Sequence, residues 1–119
     1  MEMLVKVLVV LIAVEHVYFM VLEMFLWDKP FGLKTFGQTA EQAQASKSLA
    51  ANQGLYNGFM AAGLLWSLTL PAGVRDTALQ FFLTCIAVAG IFGAMTAVRS
   101  ILYVQALPAL LTLACITLL

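Results

Sequence analysis

Charge is what this chain most lacks. Only 10% of its 119 residues are charged, and acids and bases cancel to a net charge of zero. A soluble domain carries about 25% charged residues. With no net positive charge there is no electrostatic basis for nucleic acid as a partner. The single histidine excludes a bis-histidine haem, and no His-x-x-x-His or Glu-x-x-His pairing supports a metal site. Phosphate loops, nucleophile elbows and dinucleotide motifs are also missing. Nothing therefore calls for a metal or a cofactor. Cys85 and Cys115, the two cysteines, fall inside apolar runs, where small packing residues with buried thiols are expected.

What fills the chain instead is apolar surface: 63% of residues are hydrophobic, and the mean hydropathy is +1.00. Four runs stand out, at about 3–27, 49–70, 77–98 and 101–119. A bilayer core of about 30 Å needs about 20 helical residues, so each run is long enough to span. Backbone hydrogen bonds must close internally in lipid, which makes the runs helices. The expected fold is all-α: a polytopic membrane protein, 1–119 forming one antiparallel bundle of four transmembrane helices. The first run is too long for the apolar region of a signal peptide and contains Glu15 and His16, so it reads as a retained span.

Residues 28–48 form the sizeable loop. Pro30, Gly32 and Gly37 are expected to break any helix in its first half. Thr39-Ala-Glu-Gln42 reads as a capping box, so the second helix should start near residue 40 and enter the membrane near Leu49. Pro71 to Asp76 reads as a tight turn, and Arg99-Ser100 as a minimal one that makes spans three and four neighbours. Lys29, Lys34, Lys47 and Arg99 lie on one side, against Lys6 and Arg75 on the other. The bias places loops one and three in the cytoplasm and the termini outside, in a bacterial inner membrane. Gly54 and Gly58, and the Ala89, Gly93, Ala97 series with Gly90 and Ala94 beside it, predict close helix contacts. Pro108 deprives the Val104 carbonyl of its helical partner and predicts a kink.

The polar residues are unevenly distributed in depth. Glu23 lies about a turn from the end of span one, Asn52, Gln53, Tyr56 and Asn57 open span two, Arg99 closes span three, and Tyr103 and Gln105 open span four. In an antiparallel bundle all of these fall in one half of the membrane. Glu15 and His16 sit near the midplane. A carboxylate at that depth costs about 2.5–3.5 kcal/mol on insertion scales, so two on one span point to function. His16 and Glu23, seven apart, share a face with Met20 and Trp27. The reading is a polar pocket open toward loop one, with Glu15, His16, Glu23, Asn52, Gln53, Tyr56, Asn57, Arg99 and Gln105 as ligand-binding or proton-coupling candidates. Helix-to-helix hydrogen bonding is the competing role for the amides, and Trp27 and Tyr103 suit an interfacial aromatic belt.

These segments carry a resemblance. Glu15-His16-Val17-Tyr18 through Leu22-Glu23-Met24-Phe25-Leu26-Trp27, Asn52-Gln53-Gly54-Leu55-Tyr56-Asn57-Gly58, and Arg99-Ser100-Ile101-Leu102-Tyr103-Val104-Gln105 through Pro108 carry a match that covers nearly the whole length of the chain. In these segments the chain resembles a family of small bacterial four-span integral membrane proteins defined by a conserved domain of unknown function. Many members have Gly-Gly or Gly-Leu after the glutamine, where this chain has Ala106-Leu107. The resemblance implies location and fold and supplies no substrate.

Three functions compete. The first is binding or transport of a small polar or amphipathic solute, with Glu15 or Glu23 changing protonation as the ligand comes and goes. The second is a membrane-embedded acid–base enzyme on a lipid-like substrate, with Glu15, Glu23 and His16 moving protons and Arg99, Asn52 and Asn57 holding a head group. The third is a structural or partner protein. The expected partners are the lipid bilayer and a small-molecule or lipid ligand.

Overall fold

In the computed structural model, which describes residues 2–97 and 99–118, the chain is all-α. Its helices are α1 (Glu2–Met24), α2 (Pro30–Phe36), α3 (Ala40–Ser67), α4 (Ala72–Thr96) and α5 (Leu107–Leu118), with a π-helical segment at Leu102–Ala106 leading into α5. α1 and α4 are long and apolar enough to cross a membrane, and Leu102–Leu118 is a shorter apolar helix. Only 22% of the apolar window of α1 and 28% of that of α4 is buried. The large side chains outside the core include Met3, Leu11, Phe81, Phe92 and Met95.

The chain divides into two compact units, residues 1–13 with 62–119, and residues 14–61. In the first, Val9, Ile12 and Ala13 of α1, Leu64 of α3, and Leu79, Leu83, Ile86 and Ala87 of α4 are buried. The α4 positions recur every three or four residues, the period of one helix face. α4 packs on the π segment and on α5, as the short connection at Arg99-Ser100 requires. The contact is close at Gly90, where an added Cβ would lie 2.6 Å from the backbone nitrogen of Ala106. A π segment lies just ahead of Pro108, the position at which a kink is expected. Proline has no N–H for an α-helical bond and crowds the carbonyl four residues back. The turn ahead of it widens, and the Leu107 N–H donates to the Leu102 carbonyl five residues earlier.

In the second unit the loop after α1 is more ordered than its glycines and proline suggest. Pro30 opens α2 rather than breaking it, because the first turn of a helix has no use for that N–H. Gly32 lies against the end of α1, where a Cβ would collide with the Leu26 carbonyl oxygen. Gly37 ends α2 in the left-handed region at φ 62°. There the Gln38 N–H donates to the Leu33 carbonyl and the Gly37 N–H to that of Lys34, a Schellman ending. The capping box forms as expected. The Thr39 N–H donates to Gln42 Oε1 at 2.9 Å and the Gln42 N–H to Thr39 Oγ1 at 3.1 Å, and α3 starts at Ala40.

The turn expected at Pro71 to Asp76 is shorter than its sequence implies. Pro71 caps α4, so Arg75 and Asp76 are helical.

Candidate functional site

The buried side of α3 within the second unit is drawn by Ala43, Ala50, Gly54, Asn57 and Ala61. From Ala50 onward the spacing alternates four and three, a straight stripe along one helix face. All but Asn57 are small, so another helix approaches closely. That helix is α1. A Cβ on Gly54 would meet the Met24 and Glu23 side chains and the Met20 carbonyl, and one on Gly58 would meet the Met20 sulfur. The G-x-x-x-G pair thus serves contact within the chain.

Asn57, at the centre of the stripe, donates its side-chain amide to Glu23 Oε1. Glu23 is half-buried and Asn57 buried. This pairing joins α1 to α3 through two of the expected site residues. About two turns back along α1, Glu15 and His16 are adjacent. His16 is fully buried, edge-on to Phe19 with ring centroids 5.3 Å apart. Its Nδ1 lies 3.8 Å from Glu15 Oε1, beyond hydrogen-bond reach. That carboxylate oxygen is buried and has no hydrogen-bond partner among the described residues. Buried polar atoms are nearly always paired, so an orphaned carboxylate oxygen requires an explanation in function or a missing donor.

Asn52, Gln53 and Tyr56 occupy exposed positions of α3, off the stripe that holds Asn57. Tyr56 lies edge-on to Phe59 on the same helix. One turn of α3 therefore separates its amides into a buried one and two outward ones, a distinction of facing that depth along the chain does not contain. Arg99 and Gln105 belong to the other unit. Arg99 is exposed in the turn after α4, and Gln105 is half-buried within the π segment.

Trp27 makes two contacts and its neighbour a third. Its indole N–H donates to Ser46 Oγ at 3.1 Å, its ring lies 4.7 Å from that of Phe36, and the neighbouring Asp28 pairs with Lys47 at 3.0 Å. The Lys47 ammonium, by hydrogen bond and charge, holds the Asp28 carboxyl below the usual range. These contacts clamp the end of α1 to α2 and to the first turns of α3, and so set the height at which Glu23 meets Asn57. Cys85 and Cys115 are both half-buried free thiols.

Comparison with known proteins gives a family and no activity. The chain is similar to the uncharacterized protein YpaA of Lactococcus lactis subsp. lactis (strain IL1403), 28% identical over 115 residues that cover 95% of this chain and 96% of that protein. No solved structure matches it. The model of a family described as protein of unknown function (DUF1304) matches residues 10–117, and the chain belongs to that family.

Proposed function

We propose that this chain is a multi-pass integral membrane protein that binds, and in the fuller reading transports, a small polar or amphipathic solute carrying a hydrogen-bond donor. The observation that carries the reading is the orphaned oxygen of Glu15. A carboxylate inside an apolar helix needs a proton or a donor from elsewhere. A solute with an ammonium or hydroxyl group supplies one, and its departure returns the need to a proton. Glu23 is already held by Asn57, so it fixes geometry while Glu15 exchanges partners.

The outward apolar side chains of α1 and α4 support the membrane setting, since the core helix of a soluble protein would be mostly buried. The latter half of α3 and residues 102–118 complete four crossings in this reading. The Lys and Arg bias orients loops one and three to the cytoplasm of a bacterial inner membrane.

The test is proton release. Purified protein in weakly buffered detergent, with a pH-sensitive dye, is titrated with a panel of alkylammonium, polyol and amino-acid-like solutes. At least one should release protons from wild type and not from Glu15→Gln. Silence across the panel, or equal release from the variant, overturns the reading. A second reading, a purely structural protein, is favoured by the Glu23–Asn57 bond lying on the packing stripe, where it joins helices without any ligand.

A further inference from the structure

The first unit contains a cavity of about 250 Å³ whose lining includes none of the candidate site residues described above. It opens where four helix ends meet: the start of α1, the residue after α3, the start of α4 and the end of α5. Its polar side is a closed set of charges. The Arg75 guanidinium contacts Glu2 Oε1 at 2.8 Å through one terminal nitrogen and Asp76 Oδ1 at 3.5 Å through Nε, and Lys6 Nζ lies 3.6 Å from the same Glu2 oxygen. Arg75 is the anchor, with its side chain only 13% exposed, whereas Glu2, Asp76 and Lys6 remain 62, 50 and 44% exposed and can turn toward a guest. The rest of the lining is apolar, with Val5, Leu68, Leu79 and Ile116, together with Cys115.

Two bases face two acids, so the cavity favours neither a simple anion nor a simple cation. Exposed ion pairs alone add little to stability, which leaves this quartet without a folding role of matching size. A guanidinium has five N–H donors, and the Glu2 and Asp76 contacts leave some of them available. Ligand pockets for drug-sized molecules occupy about 300–1,000 Å³, so this one suits a head group with a short apolar continuation. Helix ends are also where a spanning chain meets the lipid surface.

We propose that this cavity binds a zwitterionic amphiphile, its ammonium taken by Glu2 and Asp76, its phosphate or carboxylate by Arg75 and Lys6, and its apolar part by the Leu68 and Leu79 side. The same head chemistry occurs in ethanolamine phospholipids and in free phosphoethanolamine, and the experiment separates them. The site is independent of the Glu15 reading.

Cys115 is the reporter. In a Cys85→Ser background, the rate of Cys115 alkylation by N-ethylmaleimide is measured in alkyl maltoside micelles. Lysophosphatidylethanolamine at about ten times its dissociation constant should slow the rate about tenfold, because only the open fraction reacts. Protection by phosphoethanolamine at the same concentration identifies the free zwitterion as sufficient, and protection by the lysolipid alone identifies the lipid. Lysophosphatidylglycerol, which lacks the amine, should protect less. Arg75→Gln should restore the unprotected rate. Asp76→Asn, a milder change at a half-exposed position, should weaken protection by the ethanolamine lipid and spare that by the glycerol lipid. An unchanged rate with both ethanolamine probes, or equal protection in wild type and both variants, overturns the proposal.

Discussion

Replacing Gly90 by alanine tests the close contact of α4 with the backbone of the π segment against a general preference. Alanine is the better helix former by about 0.8–1 kcal/mol, so propensity alone predicts a gain. The surroundings predict a loss. An added Cβ would lie 2.6 Å from the Ala106 nitrogen, 2.8 Å from its Cβ and 2.9 Å from its Cα. Two of these atoms are backbone and cannot rotate away, so α4 must move off the π segment. Ala106 and Ala109 are fully buried nearby, and their contacts open with it. Overpacking of this kind costs about 1–3 kcal/mol, leaving a net destabilisation of up to about 2 kcal/mol after the propensity gain. Gly73 in the first turn of α4 is the control, since a Cβ there meets nothing within 4 Å. Gly73→Ala should be neutral or stabilising by up to about 1 kcal/mol. Unfolding by dodecyl sulfate in mixed micelles, followed by tryptophan fluorescence, compares the two. If Gly90→Ala proves as stable as Gly73→Ala, the close approach of α4 to Ala106 is wrong.

Three further outcomes are expected. A double-mutant cycle with Glu23→Leu and Asn57→Leu, read by the same unfolding assay, should give a coupling of about 1 kcal/mol, within the range for hydrogen bonds between membrane helices, and zero coupling would remove the pair as a link between α1 and α3. Thr39→Ala should cost about 1 kcal/mol through loss of the bond from the Gln42 N–H, whereas Thr39→Ser should keep most of it, as helicity and unfolding midpoint will show. Because Lys47 lowers the Asp28 carboxyl in the folded protein, the pair stabilises the fold above the unfolded Asp value near 3.8, and that stabilisation fades as pH falls through the lower folded value; melting curves between pH 6 and pH 3 should show a slightly steeper acid loss in wild type than in Lys47→Met, with less difference in high salt.

What the sequence made legible was local or periodic. Thr39 and Gln42 stand at the fixed spacing of a reciprocal cap, and no distant group competes for them. The glycines of α3 carried the close contact because small residues at four-residue spacing leave few alternatives. Glu23 and Asn57 could be put at one depth by counting. Facing was harder: Asn52, Gln53, Tyr56 and Asn57 lie within two turns, and only the packed stripe of α3 shows which of them turns inward. Loop one differs from its expectation because Pro30 stands at the start of a helix and Gly37 at its end, where neither breaks it. The charged cavity is set by facing as well. Glu2 and Lys6 are one helical turn apart, and Arg75 and Asp76 are placed at the same end by antiparallel counting. Lys6 and Arg75 bear on orientation as bases, and Glu2 and Asp76 accompany them as acids.

The π turn at Leu102–Ala106 bears on how relatives of this chain should be aligned. A π turn holds one residue more than the α turn it replaces, so side chains beyond it are rotated by about 100° from where an unbroken count would place them. Residues 102–106 therefore act as a register joint, with one residue to spare. Where a related sequence is one residue shorter here, the gap denotes a return to α geometry, with the rest of α5 keeping its inward face at Ala109 and Thr112. Where the length is kept, a glycine or alanine at position 106 maintains the passage of Gly90, and the two sites should change together.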